Sequence, residues 1–142
     1  MRLQSAVFSL EDAVLGREDV EKVLSLLKME GVWLYAVTAM ERADAERALR
    51  EAGAKDYFRG VLTEREALCP ADSGQMFEKA MRRLRAEHRD TVVFTGRLAA
   101  LRNARAAGFR AVAVRGAADE EEWNAMRAEA DEVAENYAAF LA

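Results

Sequence analysis

Polar residues that could do chemistry follow the apolar runs of this sequence, at the places where strands would end. They are Ser9, Glu11, Asp12, Thr38, Thr95, Gly96 and Arg97. Carboxylates serve proteins as general acids, general bases and Mg²⁺ ligands. Hydroxyls, and an arginine directly before a helix, favour a phosphate or a carboxylate instead. These residues therefore predict either an acid–base site or an anion site, provided that the fold brings them to one place.

A nucleophile with a base beside it is harder to find. Ser9 carries a hydroxyl, which is a weak nucleophile without an adjacent base, and the only histidine, His88, is expected at a solvent-facing helix end far from these loops. Cys69 is the only cysteine and stands before Pro70 and a helix, so it is either a reactive thiol or a small buried apolar residue. The candidate catalytic positions are Ser9, Glu11, Asp12, Thr38 and Cys69.

Apolar runs and amphipathic segments alternate along the chain, which predicts strands and helices in turn. The predicted strands cover residues 3–10, 32–37, 60–62, 91–95 and 109–114. The predicted helices cover residues 19–30, 43–52, 73–86, 98–107 and 119–141. Asp72 followed by Gln75 fits a capping box at the start of the third helix.

The last predicted helix carries an apolar stripe. Its members are Trp123, Met126, Ala130, Val133, Tyr137 and Phe140. Residues at this spacing share one face of a helix and pack against a core. Any part of the stripe that stays exposed is a candidate interface.

Strands that alternate with helices across short connections form a parallel sheet with helices on both faces. The sequence therefore predicts a single three-layer α/β domain over residues 1–142, with a central parallel sheet of about five strands. In such sheets the ligand crevice lies beyond the carboxyl ends of the strands. That rule selects the loops that hold the polar residues named above.

Composition narrows the classes of partner and location. The net charge of −4 argues against nucleic acid, because a phosphate backbone favours a basic surface. The sequence has no run of about 18 apolar residues, the length that a helix needs to span a membrane. Glu11 and Asp12 make the first segment too polar for a signal peptide. One cysteine allows no internal disulfide. We expect a cytoplasmic protein, with a small anion, a protein partner or a second copy as its partner.

Several segments resemble the haloacid dehalogenase-like (HAD) hydrolase superfamily, especially its phosphatase and phosphoglucomutase-like branch. VVFTGRLAALRNARAAGFRAVAV resembles the fourth motif of that family with its following helix and strand, and LYAVT, ending at Thr38, resembles the second. CPADSGQMFEKAMRRL resembles the third motif, and EEEWNAMRAEADEVAENYAAFL is similar to the closing helix of some members. The resemblance covers nearly the whole chain and implies a Rossmann-like HAD core.

The same resemblance implies chemistry that the aligned residues do not supply. The first motif of the family is Asp-x-Asp-Gly-Thr, whose first aspartate becomes an aspartyl-phosphate, and Ser9 stands in its place. Glu11 aligns with the second aspartate, the general acid–base. Cys69 aligns with the lysine of the third motif, and Thr95 to Arg97 align with the acidic stretch that holds Mg²⁺.

A cap domain is also missing from the expected arrangement. In most relatives a helical cap lies between the first motif and the helix before the second, whereas here only residues 15–19 separate the two. Caps exclude water and supply specificity. We therefore expect a capless core with an open crevice, unless an oligomeric partner covers it.

Three hypotheses for function follow. The leading one is a catalytically inactive HAD-like protein that acts through binding, regulation or assembly, with no cofactor. The first alternative is a divergent Mg²⁺-dependent hydrolase of small phosphate esters, in which Glu11 or Asp12 holds the metal. The second is a metal-free phosphate- or carboxylate-binding protein, whose site residues are Ser9, Thr38, Thr95, Gly96 and Arg97.

Overall fold

Six parallel strands form the centre of the structure, a computed structural model that describes residues 4–141. The strands are β1 (Ser5–Ser9), β2 (Trp33–Thr38), β3 (Gly60–Thr63), β4 (Thr91–Thr95), β5 (Arg110–Val114) and β6 (Glu132–Ala134). Their order in the sheet is β3-β2-β1-β4-β5-β6. The order reverses at β1, whose two neighbours are β2 and β4. This is the switch point at which open α/β sheets bind ligands.

Within residues 4–141, seven α-helices connect and cover the strands. They are α1 (Val20–Met29), α2 (Arg42–Glu51), α3 (Glu64–Ala67), α4 (Gly74–Arg83), α5 (Leu98–Ala106), α6 (Glu120–Glu129) and α7 (Tyr137–Leu141). Two short 3₁₀ turns cover Lys55–Tyr57 and His88–Asp90, and a π-helical turn covers Leu10–Val14. One buried cluster joins the sheet to α1, α2 and α7, and the other joins it to α4, α5 and α6. Burial on both faces explains the continuous apolar runs of the central strands.

The predicted three-layer α/β architecture is confirmed, with six strands rather than about five. β4 has the predicted bounds, and the other predicted strands are displaced by one or a few residues. Of the strand predicted over residues 3–10, residue 3 lies outside the described part of the chain, and Leu10 begins the π-helical turn instead. The connection from this turn to α1 holds no inserted domain, in agreement with the expected capless core.

The single helix predicted over residues 119–141 is wrong. α6 ends at Glu129, and Ala130 is extended, with φ −75° and ψ 154°. Asp131 then accepts a hydrogen bond from Ala111 N–H through Oδ2, at 2.8 Å, and sets β6 beside β5. The apolar stripe is therefore divided: Trp123 is buried from α6 and Tyr137 from α7, whereas Val133 lies on the edge strand between them.

The start of α4 also differs from the prediction. Ser73, not Asp72, is the capping residue, since its Oγ accepts a hydrogen bond from Met76 N–H at 3.2 Å. The helix therefore begins one residue later than a capping box from Asp72 to Gln75 requires.

Among residues 4–141, no helix is long and apolar enough to cross a membrane. The location of the protein in the cell, and the extent of one domain over all 142 residues, stay predictions.

Replacing Tyr137 with phenylalanine tests how the last helix is held. The buried hydroxyl of Tyr137 donates a hydrogen bond to Ala13 O at 2.6 Å, and burial raises the pKa of this hydroxyl, so that it remains a donor. Tyr137→Phe leaves a buried carbonyl without its partner and should lower the free energy of unfolding by about 1–3 kcal/mol. Tyr57→Phe is the matched control, because its hydroxyl contacts Glu21 at an exposed position. Equal stability losses in urea denaturation of the two variants would contradict this account.

Candidate functional site

Three hydroxyl residues end neighbouring strands at the carboxyl edge of the sheet. Ser9 ends β1, Thr38 ends β2 and Thr95 ends β4. In the ladders Ser9 lies opposite Val37, and Phe8 lies opposite Phe94, so the three hydroxyl residues are neighbours. Ser9 is 8% exposed, and the two threonines are fully buried. The fold thus brings these sequence-predicted positions together.

The π-helical turn after β1 places two carboxylates over this edge. Glu11 Oε2 accepts a hydrogen bond from Ala39 N–H at 2.9 Å, beyond the end of β2. Asp12 Oδ1 accepts one from Gly96 N–H at 2.8 Å, beyond the end of β4. Each carboxylate therefore joins the first loop to the loop of a neighbouring strand. π-turns are rare and often mark functional sites, and here the turn sets the direction of both side chains.

The backbone of this turn is packed closely against two glycines. A Cβ atom on Gly96 would lie 2.9 Å from Asp12 O, and one on Gly116 would lie at the same distance from that oxygen. Contacts this short with backbone do not occur for real Cβ atoms, so the turn requires glycine at both positions.

The environment of Asp12 changes its acidity. Burial raises the pKa of its carboxyl and outweighs the opposing effects of the Gly96 N–H, Arg97 and the Thr95 hydroxyl. The neighbouring Glu11 carboxylate raises this pKa further. Asp12 is therefore a partly buried, hydrogen-bonded carboxyl rather than a free loop carboxylate, whereas Glu11 is exposed.

The hydroxyl oxygens of Thr38 and Thr95 each accept a hydrogen bond from a backbone N–H group of the loop that follows the strand. Thr38 Oγ1 accepts a hydrogen bond from Met40 N–H at 3.0 Å, and α2 begins only after Glu41. Thr38 thus forms a turn and does not cap the helix. Thr95 Oγ1 accepts a hydrogen bond from Arg97 N–H at 3.5 Å.

Arg97 is directed away from the three hydroxyls and toward α6. Its Nε lies 3.0 Å from Glu122 Oε2, and the arginine side chain is 56% exposed. The same Glu122 oxygen accepts a hydrogen bond from Leu98 N–H at 2.9 Å, at the first residue of α5. Glu122 therefore occupies the position that an anion would take at this helix start.

Sequence reasoning missed Glu122, although a signal exists. The residue lies in the first turn of α6, within an acidic run of three glutamates. α5 and α6 follow neighbouring strands, so their starts lie side by side at the carboxyl edge. An acidic residue in one first turn can then reach the N–H groups of the other.

Cys69 is a buried member of the apolar cluster under α4. Its loop is held by Glu64, whose Oε2 accepts a hydrogen bond from Ala71 N–H at 2.7 Å. An amine does reach this loop, because Lys79 Nζ donates to the carbonyl of Ala67. The sequence did not single out Lys79, which lies within α4.

His88 lies at the opposite edge of the sheet from Ser9. It belongs to the short turn before β4, not to a helix end, and its Nε2 lies 3.1 Å from Glu78 Oε1. Its ring contacts Phe109 at a centroid distance of 4.7 Å. His88 is therefore too far from Ser9 to act as its base.

Members of the family that the sequence resembles usually use Mg²⁺, which would have to bind at the carboxyl edge of the sheet. Mg²⁺ favours several carboxylate and water oxygens in octahedral geometry. Within residues 4–141 no three acidic, histidine or cysteine side chains are grouped to hold a metal. Glu11 and Asp12 bind separate backbone N–H groups, and Arg97 adds positive charge beside Asp12. This donor set does not fit Mg²⁺.

Replacing Asp12 with asparagine tests its role by pH. A folded-state pKa above the ordinary value of 3.8 means that stability contributed by this group falls as pH rises from about 4 through the raised pKa. Asn keeps an oxygen for Gly96 N–H and has no charge to desolvate. Asp12→Asn should therefore gain stability relative to wild type between pH 4 and pH 7, measured by urea denaturation. Asp12→Ala, which leaves that N–H unsatisfied, should cost about 1–3 kcal/mol at both pH values. A loss in Asp12→Asn that grows toward pH 7 would show that the negative charge stabilises the fold.

Comparison with known proteins identifies one family that the chain matches. Residues 3–108 match the family model described as haloacid dehalogenase-like hydrolase. No curated protein sequence matches the chain. Among solved structures, a predicted phosphoglycolate phosphatase from Haemophilus somnus 129PT is 16% identical, with a TM-score of 0.76 over 88% of this chain and 55% of that one.

Two further structures show the same fold. β-Phosphoglucomutase from Clostridium difficile is 15% identical, with a TM-score of 0.68 over 82% of this chain and 48% of that one. A HAD-superfamily hydrolase, subfamily IA, variant 1, from Geobacter sulfurreducens PCA is 19% identical, with a TM-score of 0.69 over 88% of this chain and 54% of that one. The chain thus spans about half the length of these three structures. The family model covers most of the chain, and the chain belongs to the haloacid dehalogenase-like hydrolase family.

Proposed function

We propose that this protein is a non-catalytic member of its family, which acts by binding a partner rather than by hydrolysing phosphate esters. One observation carries the proposal: backbone N–H groups at the carboxyl edge of the sheet already bind carboxylates of the chain itself. Asp12 binds Gly96 N–H, Glu11 binds Ala39 N–H and Glu122 binds Leu98 N–H.

These N–H groups matter because a phosphate ester would need donors at the same edge. A hydrogen bond to a charged group contributes about 1.5–3 kcal/mol. A substrate that displaced the three internal carboxylates would only exchange one charge-assisted hydrogen bond for another at each N–H group, and it would also have to offset the cost of moving the side chains. An anionic substrate is therefore expected to bind weakly.

The nucleophile is the second support for the proposal. Ser9 has the position at the end of β1 from which a reacting group would reach the crevice, but its hydroxyl needs a base. Glu11 and Asp12 are the nearest carboxylates along the chain, and both accept hydrogen bonds from backbone N–H groups of other loops. Loss of a covalent nucleophile typically costs many orders of magnitude in rate.

The two alternatives require specific rearrangements. An Mg²⁺-dependent hydrolase needs a carboxylate released from its amide, and Glu11 is the more exposed of the two in the first loop. A metal-free anion site needs Arg97 to leave Glu122 and turn toward Ser9, Thr38 and Thr95. Neither rearrangement is favoured by the contacts described above.

A phosphatase assay tests the proposal, using an aryl phosphate and a panel of small phosphoesters with and without Mg²⁺. The wild-type rate should equal that of the triple variant Ser9→Ala, Glu11→Ala, Asp12→Ala, because no group in the loop completes the reaction. The double variant Glu11→Gln, Asp12→Asn is the matched control, since it removes both charges and keeps the acceptor oxygens.

Metal-dependent turnover in the wild type that both variants lose would contradict the proposal. In that case the first loop still does chemistry through its carboxylates. Equal turnover in all three preparations would come from a contaminating phosphatase and would leave the proposed inactivity in agreement with the data.

A further inference from the structure

Three exposed apolar side chains lie together at the amino edge of the sheet, on the side away from Ser9. Leu26 and Met29, on the last turns of α1, are 44% and 82% exposed, and Trp33, the first residue of β2, is 47% exposed. α1 ends at Met29, a few residues before β2 begins at Trp33. Exposed apolar groups gathered in this way mark interaction sites more often than scattered ones do.

Two grooves run along this surface and meet at one residue. The first, of about 280 Å³, is lined by Lys28, Trp33, Tyr57 and Arg59 together with backbone and aliphatic groups. The second, of about 730 Å³, runs along α1 past Leu26 and Met29. Tyr57 lines both grooves, so they form one continuous surface, called the amino-edge surface below.

Two cations of the amino-edge surface, Lys28 and Arg59, lie against aromatic rings and not against carboxylates. The guanidinium carbon of Arg59 lies 3.7 Å from the centroid of the Trp33 ring. Lys28 Nζ lies 5.7 Å from the centroid of the Tyr57 ring and donates a hydrogen bond to the backbone oxygen of Asp56.

Within the described part of the chain, neither Lys28 nor Arg59 has a carboxylate within 4.0 Å, whereas ten other arginines do. Those ten are Arg42, Arg47, Arg65, Arg82, Arg89, Arg97, Arg102, Arg105, Arg110 and Arg115. About half of the described lysines and arginines are thus ion-paired, and Lys28 and Arg59 are among those that are available to a partner.

A further arginine extends the basic character toward β3. Arg83 donates a hydrogen bond to the hydroxyl of Tyr35 at 3.4 Å. That hydroxyl lies 2.6 Å from where a Cβ atom on Gly60 would be, directly after Arg59 in the chain.

The carboxylates that line the second groove already have partners within the chain. Glu21 accepts a hydrogen bond from the Tyr57 hydroxyl, and Asp19 forms an ion pair with Lys22.

We propose that the amino-edge surface binds an acidic, amphipathic polypeptide segment. Carboxylates of the segment pair with Arg59 and Lys28, and its apolar side chains pack on Trp33, Leu26 and Met29. Each cation is held against a ring before binding, which reduces the entropy lost when a carboxylate pairs with it.

A polypeptide fits this surface better than a nucleic acid does. Binding of a phosphate backbone requires a track of many cations, and the protein as a whole carries a net charge of −4. The exposed Leu26 and Met29 of α1 also need apolar side chains of a partner to cover them, which a polypeptide can supply. The proposal is independent of whether the carboxyl edge is catalytic, since Trp33 and Arg59 lie where β2 and β3 begin, at the other end of the strands from Ser9.

Peptide titration followed by tryptophan fluorescence tests the proposal on the full chain. The probe is a synthetic peptide of repeated Glu-Glu-Leu-Leu units, and its Gln-Gln-Leu-Leu counterpart removes the charge. Trp123 is fully buried, so a change in emission reports on Trp33. We expect saturable binding of the acidic peptide, weakened about tenfold by Arg59→Gln and by Lys28→Gln, and weakened further by added salt.

Arg127→Gln is the matched control, because Arg127 is an exposed arginine without an ion pair in the described chain and lies beside β6. Binding of the acidic peptide that survives this control and is lost in the two groove variants supports the proposal. The proposal is overturned by an absence of binding, by equal losses in all three variants, or by tighter binding of an oligothymidine probe than of the peptide.

Discussion

The hydrogen bond from Gly96 N–H to the Asp12 carboxylate, 2.8 Å long, holds the first loop against the end of β4. The backbone of Asp12 fits between Gly96 and Gly116 with no room for a Cβ atom on either. On another side, Tyr137 donates to Ala13 O and joins the last helix to the same turn. The ends of β1, β4 and β5 and the last helix thus depend on one short π-helical turn. A partly buried carboxyl at its centre costs free energy when ionised, and the Gly96 N–H offsets part of that cost.

This constraint determines what the carboxyl edge can do. Hydrolases that act on phosphate esters need donors free for the substrate and a nucleophile with its electrostatic partners. Here the carboxylates of the loop after Ser9 accept hydrogen bonds from backbone N–H groups of the neighbouring loops, and Glu122 accepts one from the N–H group at the start of α5. The family fold is retained, but a shared fold does not fix function, which depends on the site. A binding role, with contacts made elsewhere on the molecule, agrees with this arrangement.

Much of the fold follows from the sequence, because strands buried on both faces leave continuous apolar runs such as TVVFT. Rules for parallel sheets then locate the carboxyl edge and its hydroxyl residues. The C-terminal segment was mispredicted, since helical spacing over residues 119–141 is also satisfied by a short helix, a three-residue edge strand and a second helix. The hydrogen bond from Ala111 N–H to Asp131 favours the strand, and the periodicity of apolar residues cannot predict this contact because its partners are 20 residues apart.

The direction of individual side chains was harder to predict than their position. The sequence places Asp12 and Arg97 in the right loops, but whether each faces solvent, a ligand or the chain depends on partners distant in sequence. For Asp12 that partner is Gly96, 84 residues away, and for Arg97 it is Glu122, 25 residues away. Short-range patterns carry no information on such pairs.

The most direct test of the central claim is an NMR titration of three backbone amides, those of Ala39, Gly96 and Leu98, with inorganic phosphate in the presence and absence of Mg²⁺. If the carboxylates of the chain occupy these N–H groups, the three amide resonances stay in place while phosphate is added at constant pH and ionic strength. Saturable shifts of the three amides together would show that phosphate displaces the internal carboxylates, and would contradict the account of this edge as closed.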